Sequence, residues 1–106
     1  MLFRSVVDLG EVKSINRVAL DALIDEGSWI HFPKAVEVLI SEDGNQYKSI
    51  LRNENPDAKS RTIKLPIGRQ QARFVKVVAE NAGVIPDGKP GAGNPAWLFV
   101  DEIVVE

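Results

Sequence analysis

Apolar and polar residues alternate with a period of two along much of this 106-residue chain. Val36, Val38 and Ile40 are interleaved with Glu37 and Leu39, and Ile63, Leu65 and Ile67 stand beside Thr62 and Lys64. Val75 and Val77 flank Lys76, and Val18, Leu20 and Ala22 keep the same rhythm. Successive side chains of an extended chain point to opposite faces, so this period predicts strands with one face turned to a core. No window carries a helical stripe of useful length. The pattern predicts seven strands, at about residues 3–9, 14–23, 35–42, 46–51, 61–67, 72–80 and 97–105. Short strands separated by turn signals predict an all-β domain, an antiparallel sandwich or a barrel.

The connections between these strands are of two kinds. Gly10-Glu11-Val12, Asp43-Gly44-Asn45 and Gly68-Arg69-Gln70 are short, and glycine accepts the positive φ that tight turns demand. Ile24 to Lys34, Arg52 to Ser60 and Asn81 to Ala96 are long. Short and long alternate, so antiparallel strands would bring all three long loops out at one end. Trp29, His31 and Trp97 lie in or beside those loops, and Asn94 closes the glycine- and proline-rich stretch before Trp97. These four residues form the candidate rim for a ligand.

Composition narrows the chemistry. The length suits one domain with a modest core. A formal charge of −2 and a pI near 5.4 argue against a nucleic-acid footprint. No stretch reaches the length of a membrane span, and no cationic leader precedes an apolar run, so any export signal belongs to a longer parent or does not exist. Cysteine is absent, which removes disulfides and thiolate zinc sites.

Catalysis finds little support in the side chains. His31 is the only histidine, and no nucleophile-elbow pattern accompanies it. Flanked by Ile30 and Phe32, it reads more readily as a packed loop residue than as a ligand contact. Asp101 and Glu102 are neighbours on one strand and point to opposite faces, so they cannot share a catalytic cleft. Asp25-Glu26, next to Gly27-Ser28, reads as a solvated turn. The tryptophans carry the sharpest signal. Each indole either caps the open end of the core or offers a face on which a sugar or a partner surface stacks. Phe99 shares the face of Trp97 by alternation, which predicts a ring packed at its edge and open on its face. Trp29, in mid-loop, is expected to matter less for folding.

Three stretches taken together resemble the discoidin, or coagulation-factor type C, family. Val6-Val7-Asp8-Leu9-Gly10 with Ile15 and Val18 is similar to its "V-D-L-G…I…V" opening. Ser41-Glu42-Asp43-Gly44 with Tyr47 is similar to its "S-x-D-G" turn, and Ala72-Arg73-Phe74-Val75-Lys76-Val77 to its "A-R-Y-V-R-V" strand. Ser28-Trp29-Ile30 with Pro33, and Gly91-Ala92-Gly93 leading to Ala96-Trp97-Leu98-Phe99-Val100-Asp101-Glu102-Ile103, resemble the C-terminal domains of bacterial β-hexosaminidases, or chitobiases.

The resemblance implies a jelly-roll β-sandwich that forms one domain over residues 1–106. It implies a non-catalytic, carbohydrate-binding accessory module of a bacterial glycoside hydrolase. Its ligands would be galactose-type or N-acetylhexosamine glycans, and its parent would be periplasmic, on the outer surface or secreted. The alternative is a structural domain packed on a catalytic domain through Trp29 and Trp97. Family members usually carry further strands, a rim loop and much of a structural calcium site upstream of the point where Met1 falls, so the resemblance implies a fragment or an abbreviated member. Glu102 then stands where the family's last-strand acid helps to hold calcium. A sheet short of those strands would expose an edge, which predicts edge-strand dimerisation or low stability unless the edge is blunted.

Overall fold

The computed structural model describes residues 2–54, 56 and 61–106. The described residues form five strands: β1 (Leu2–Ala22), β2 (Ala35–Ser41), β3 (Lys48–Glu54), β4 (Thr62–Glu80) and β5 (Val100–Val105). All pair antiparallel in one sheet of order β3-β2-β4-β1-β5.

Five strands replace seven because β1 and β4 each run through two of the predicted ones. The Gly10 and Gly68 stretches are not chain reversals. They are irregularities in the long β1·β4 ladder, where register shifts fall between Asp8 and Lys13 and between Ile15 and Arg17. Gly10 and Gly68 take φ of 86° and 70° there. A positive φ marks an abrupt local bend, and sequence does not distinguish a bend within a ladder from a turn between strands. Asp8 fastens the first bend by accepting the Gly10 N–H at 2.8 Å and the Arg73 guanidinium at 3.0 Å. Asp43-Gly44-Asn45, by contrast, is a true turn between β2 and β3. The last strand starts at Val100 rather than Trp97.

At these bends the single sheet folds over on itself. β2 pairs with β4 only over Phe74–Glu80, whereas β5 pairs with β1 only over Val18–Ala22. The inward residues of both halves nevertheless form one core, with Val18, Leu20 and Leu65 from one side packed with Val36, Val38 and Val77 from the other. The result is a β-sandwich whose inner faces carry the period-two residues. Each fully buried Val or Leu contributes about 1.5–3 kcal/mol of transfer free energy.

The long connections do gather at one end. Glu54 pairs with Ala35, which also pairs with Glu80, and Thr62 pairs with Asp21 near the close of β1. Of the middle loop, Asn55 and residues 57–60 lie outside the described residues. No helix among the described residues is long and apolar enough to cross a membrane.

Candidate functional site

Segments 23–34 and 81–99 make up most of the long-loop end. The first contains one turn of 3-10 helix at Glu26–Ser28, closed by reciprocal backbone bonds of 2.9 Å between Asp25 and Ile30. Trp29 follows that turn in the left-handed region, at φ 65° and ψ 18°. A bulky L-residue incurs about 1–2 kcal/mol in that conformation, so the surroundings must hold it. The Trp29 N–H donates to Glu26 O at 3.1 Å, and Trp29 O accepts the Trp97 N–H at 2.8 Å.

The second segment folds on itself as a short ladder. Ile85 N–H donates to Asn94 O at 2.8 Å, and Ala96 N–H to Gly83 O at 2.8 Å. The Asn81 side chain pins the base by donating to Ala96 O and accepting from Gly83 N–H, both at 2.7 Å. Ile85 plugs the interior of this loop, fully buried.

The two segments are clasped together. Trp97 bonds through both its N–H and its C=O, to Trp29 O and His31 N–H, and so stands paired with Ile30. Lys89 donates to Glu26 Oε2 across the gap. That hydrogen bond, with the charge of Lys89, holds the Glu26 carboxyl below the usual carboxylate range. The Trp29 indole rests on the backbone at Gly91, where an added Cβ would sit 2.4 Å from its Nε1.

The four predicted rim residues thus meet in one assembly, but with different exposure. Trp97 is 58% exposed. Its pairing with Ile30 puts its side chain on Ile30's face of the ladder and away from that of His31. His31 is only 9% exposed, its Nδ1 is 3.9 Å from Glu26 Oε2, and its Nε2 is buried with no hydrogen-bond partner among the described residues. Asn94 is exposed and spends one amide N–H on its own turn, at Gly91 O. Trp29 is half-buried, which reverses the expectation that it is the more dispensable indole for folding.

The sequence reading passed over several contributors. Val84 (66% exposed) and Ile24 are exposed apolar residues of the two rim segments, beside Phe99 (51%), which alternation had already placed on the face of Trp97. Alternation does signal part of this: Ala96 is buried and Leu98 half-buried, leaving Pro95, Trp97 and Phe99 outward. Nothing in the sequence pointed to Gly91 as the seat of Trp29, or to the Glu26–Lys89 clasp, because both depend on how two distant loops meet.

Glu102 lies exposed on β5 at φ 47°, its N–H bonded to Asp101 Oδ1 at 2.9 Å. Among the described residues no three acidic or histidine side chains converge as metal donors. Calcium at Glu102 would therefore need donors from elsewhere, and the residues described do not by themselves fit such a site.

Residues 5–98 match the F5/8 type C domain profile. A polysaccharide lyase 8 family protein of Enterococcus faecalis is 41% identical over 73 residues, which is 67% of this chain and 5% of that protein. The chain therefore spans only a small part of that relative's length. Among solved structures, chitosan-binding module 1 from a chitosanase/glucanase of Paenibacillus sp. IK-5 superposes with a TM-score of 0.68 at 15% identity, over 99% of this chain and 68% of the other. The C-terminal domain of a chitobiase from Bacteroides fragilis superposes with a TM-score of 0.56 at 25% identity, over 100% of this chain and 66% of the other.

Proposed function

The chain belongs to the F5/8 type C domain family, and we propose that it serves its parent protein as a non-catalytic carbohydrate-binding module. The observation that carries this reading is Trp97: an indole 58% exposed, at the long-loop end, on a backbone tied at both N–H and C=O. A ring held in this way stacks on the apolar face of a sugar without first having to be ordered. Phe99 and Pro95 extend the platform, and Asn94 is the exposed polar side chain next in line. Trp29 acts beneath it, as the buttress that fixes the Trp97 amide. The likeness to a chitobiase domain and to a chitosan-binding module supports glucosamine-type or N-acetylhexosamine ligands, with galactose-type glycans as the competing class. The parent on this reading is an enzyme acting on glycans outside the cytoplasm, either a glycoside hydrolase or a polysaccharide lyase.

Titration with chitotriose, N-acetylglucosamine and lactose, followed by tryptophan fluorescence, tests the proposal. We expect a saturable change that Trp97→Ala abolishes and Trp29→Ala only weakens. A folded protein that responds to none of these sugars at millimolar concentration would overturn it.

A second reading has its own support. Ile24, Val84, Trp97 and Phe99 are all exposed apolar side chains of the two rim segments, more than a single stacking ring requires. Exposed patches of this kind mark docking faces, here against the parent's catalytic domain. Sugar-independent binding of that catalytic domain, lost in Trp97→Ala, would favour this reading.

A further inference from the structure

A concavity lies away from the tryptophans, at the short-turn end. It holds about 550 Å3 between the β2–β3 turn and the Gly68 bend of β4. Its lining is Ile40, Ser41, Glu42, Asp43, Gln46, Lys48, Gln70 and Gln71. That volume falls within the range of about 300–1,000 Å3 typical of small-ligand clefts.

Both walls are held rigidly. Ser41 Oγ accepts the N–H of Asp43 at 3.2 Å and of Gly44 at 2.8 Å, and donates to Asp43 Oδ1 at 2.9 Å. The same Asp43 oxygen accepts from the N–H of Asn45 and of Gln46. Gly44, at φ 83°, lies flat on the Phe74 ring, where a Cβ would approach within 3.1 Å. On the opposite wall Gln70 Nε2 donates to Ile67 O at 3.1 Å. Asp43 and Gln70 thereby serve the structure. The side chains of Glu42, Gln46, Lys48 and Gln71 make no hydrogen bond or ion pair among the described residues, although they converge on one groove.

We infer that this groove is a second ligand site, for a neutral polyhydroxyl chain such as an oligosaccharide backbone. Its free groups are a carboxylate, an ammonium and two amides, a mixture of donors and acceptors suited to neighbouring hydroxyls. Glu42 and Lys48 offset each other, so the groove selects neither a phosphate nor a polycation. No aromatic side chain lines it: Tyr47, next to it in sequence, stacks under Lys76 at 4.0 Å instead. A ligand here is held by hydrogen bonds along its edge, whereas Trp97 at the other end offers a face. With a site at each end, the module would bridge two stretches of polymer, and the two weak contacts would reinforce each other.

Amide NMR spectra of the whole chain, recorded during titration with the neutral tri-N-acetylchitotriose and separately with lactose, test the inference. The groove predicts shifts at residues 40–48 and 70–71 that persist in Trp97→Ala, a variant that removes only the rim. The double variant Glu42→Ala, Gln71→Ala should weaken those shifts about tenfold or more and leave rim shifts and melting temperature unchanged. Both positions are exposed and make no hydrogen bond or ion pair among the described residues, so loss of folding is not expected, and Glu42→Gln should retain part of the affinity. Absence of shifts at 40–48 and 70–71 with either sugar, or shifts unaltered by the double variant, would overturn the inference while leaving the rim proposal standing.

Discussion

At the scale of single residues, glycine and tryptophan set the loop end. Gly91 has φ 77° and carries the Trp29 indole, whereas Gly93, two residues on, has φ 87° and nothing within 4 Å of its would-be Cβ. Alanine at either position incurs the left-handed backbone penalty of about 1–2 kcal/mol. Only at 91 must the indole also move. We expect Gly91→Ala to lower stability in urea unfolding by clearly more than Gly93→Ala, with a shift in tryptophan emission that Gly93→Ala lacks. Equal losses would mean that Trp29 does not depend on its seat. Trp97→Ala should differ from both. A buried tryptophan truncation costs about 3–5 kcal/mol, but a ring this exposed should cost about 1 kcal/mol or less. The sequence pattern predicts a Trp97 ring packed at its edge and open on its face, and the residue is 58% exposed. The sequence misjudged Trp29, since nothing local predicts that a glycine sixty-two positions later, by the numbering of Trp29 and Gly91, will lie beneath the ring.

At the scale of elements, β5 and the β2–β3 turn each carry a consequence. β5 is an edge strand, and an exposed edge invites pairing with another chain. Here the pairs Ala19–Val104 and Asp21–Asp101 enclose one residue more on β5 than on β1, and Glu102 takes φ 47° in that bulge. A bulge with two carboxylates bends and charges the edge. The opposite edge, β3, carries Lys48, Arg52 and Glu54. We therefore expect a monomer in light scattering over a wide concentration range, and Glu102→Gly to be neutral or stabilising by about 1 kcal/mol. Concentration-dependent dimerisation would show that the bulge does not protect the edge.

The turn makes an acid-sensitive element. The N–H groups of Gln46 and Asn45 and the Ser41 hydroxyl hold the Asp43 carboxyl below its usual range. The Arg73 hydrogen bond does the same for Asp8. A depressed carboxyl favours the folded state above the unfolded aspartate pKa and loses that contribution as pH falls through it, from about pH 5 downward. Stability measured against pH should fall in that window, and Asp43→Asn should flatten part of the fall. An unchanged acid limb in that variant would remove the turn from the account.

At the scale of the whole molecule, one sheet folded at two bends forms both halves of the sandwich, so neither half has a core of its own. Leu20→Ala and Leu65→Ala, at fully buried positions of the shared core, should each cost about 2–5 kcal/mol. Circular dichroism and tryptophan fluorescence should report one coincident unfolding transition. Separate transitions would show that the halves are independent.

The period-two pattern determined much of this by itself. It marked which residues extend and which face inward, because alternation in a strand is local geometry that no distant contact alters. Val18, Leu20, Val36, Val38, Leu65 and Val77 were legible as core for that reason, whereas the alternation of long and short connections rested on two turns, at Gly10 and Gly68, that are bends within strands. Other features belonged to tertiary structure alone. Whether Gly10 and Gly68 reverse the chain or merely bend it depends on which strands pair across them. The exposure of Trp97, the seat of Trp29 on Gly91, the burial of His31 and the groove between Glu42 and Gln71 arise where segments far apart in sequence come together, and short-range periodicity does not encode that meeting.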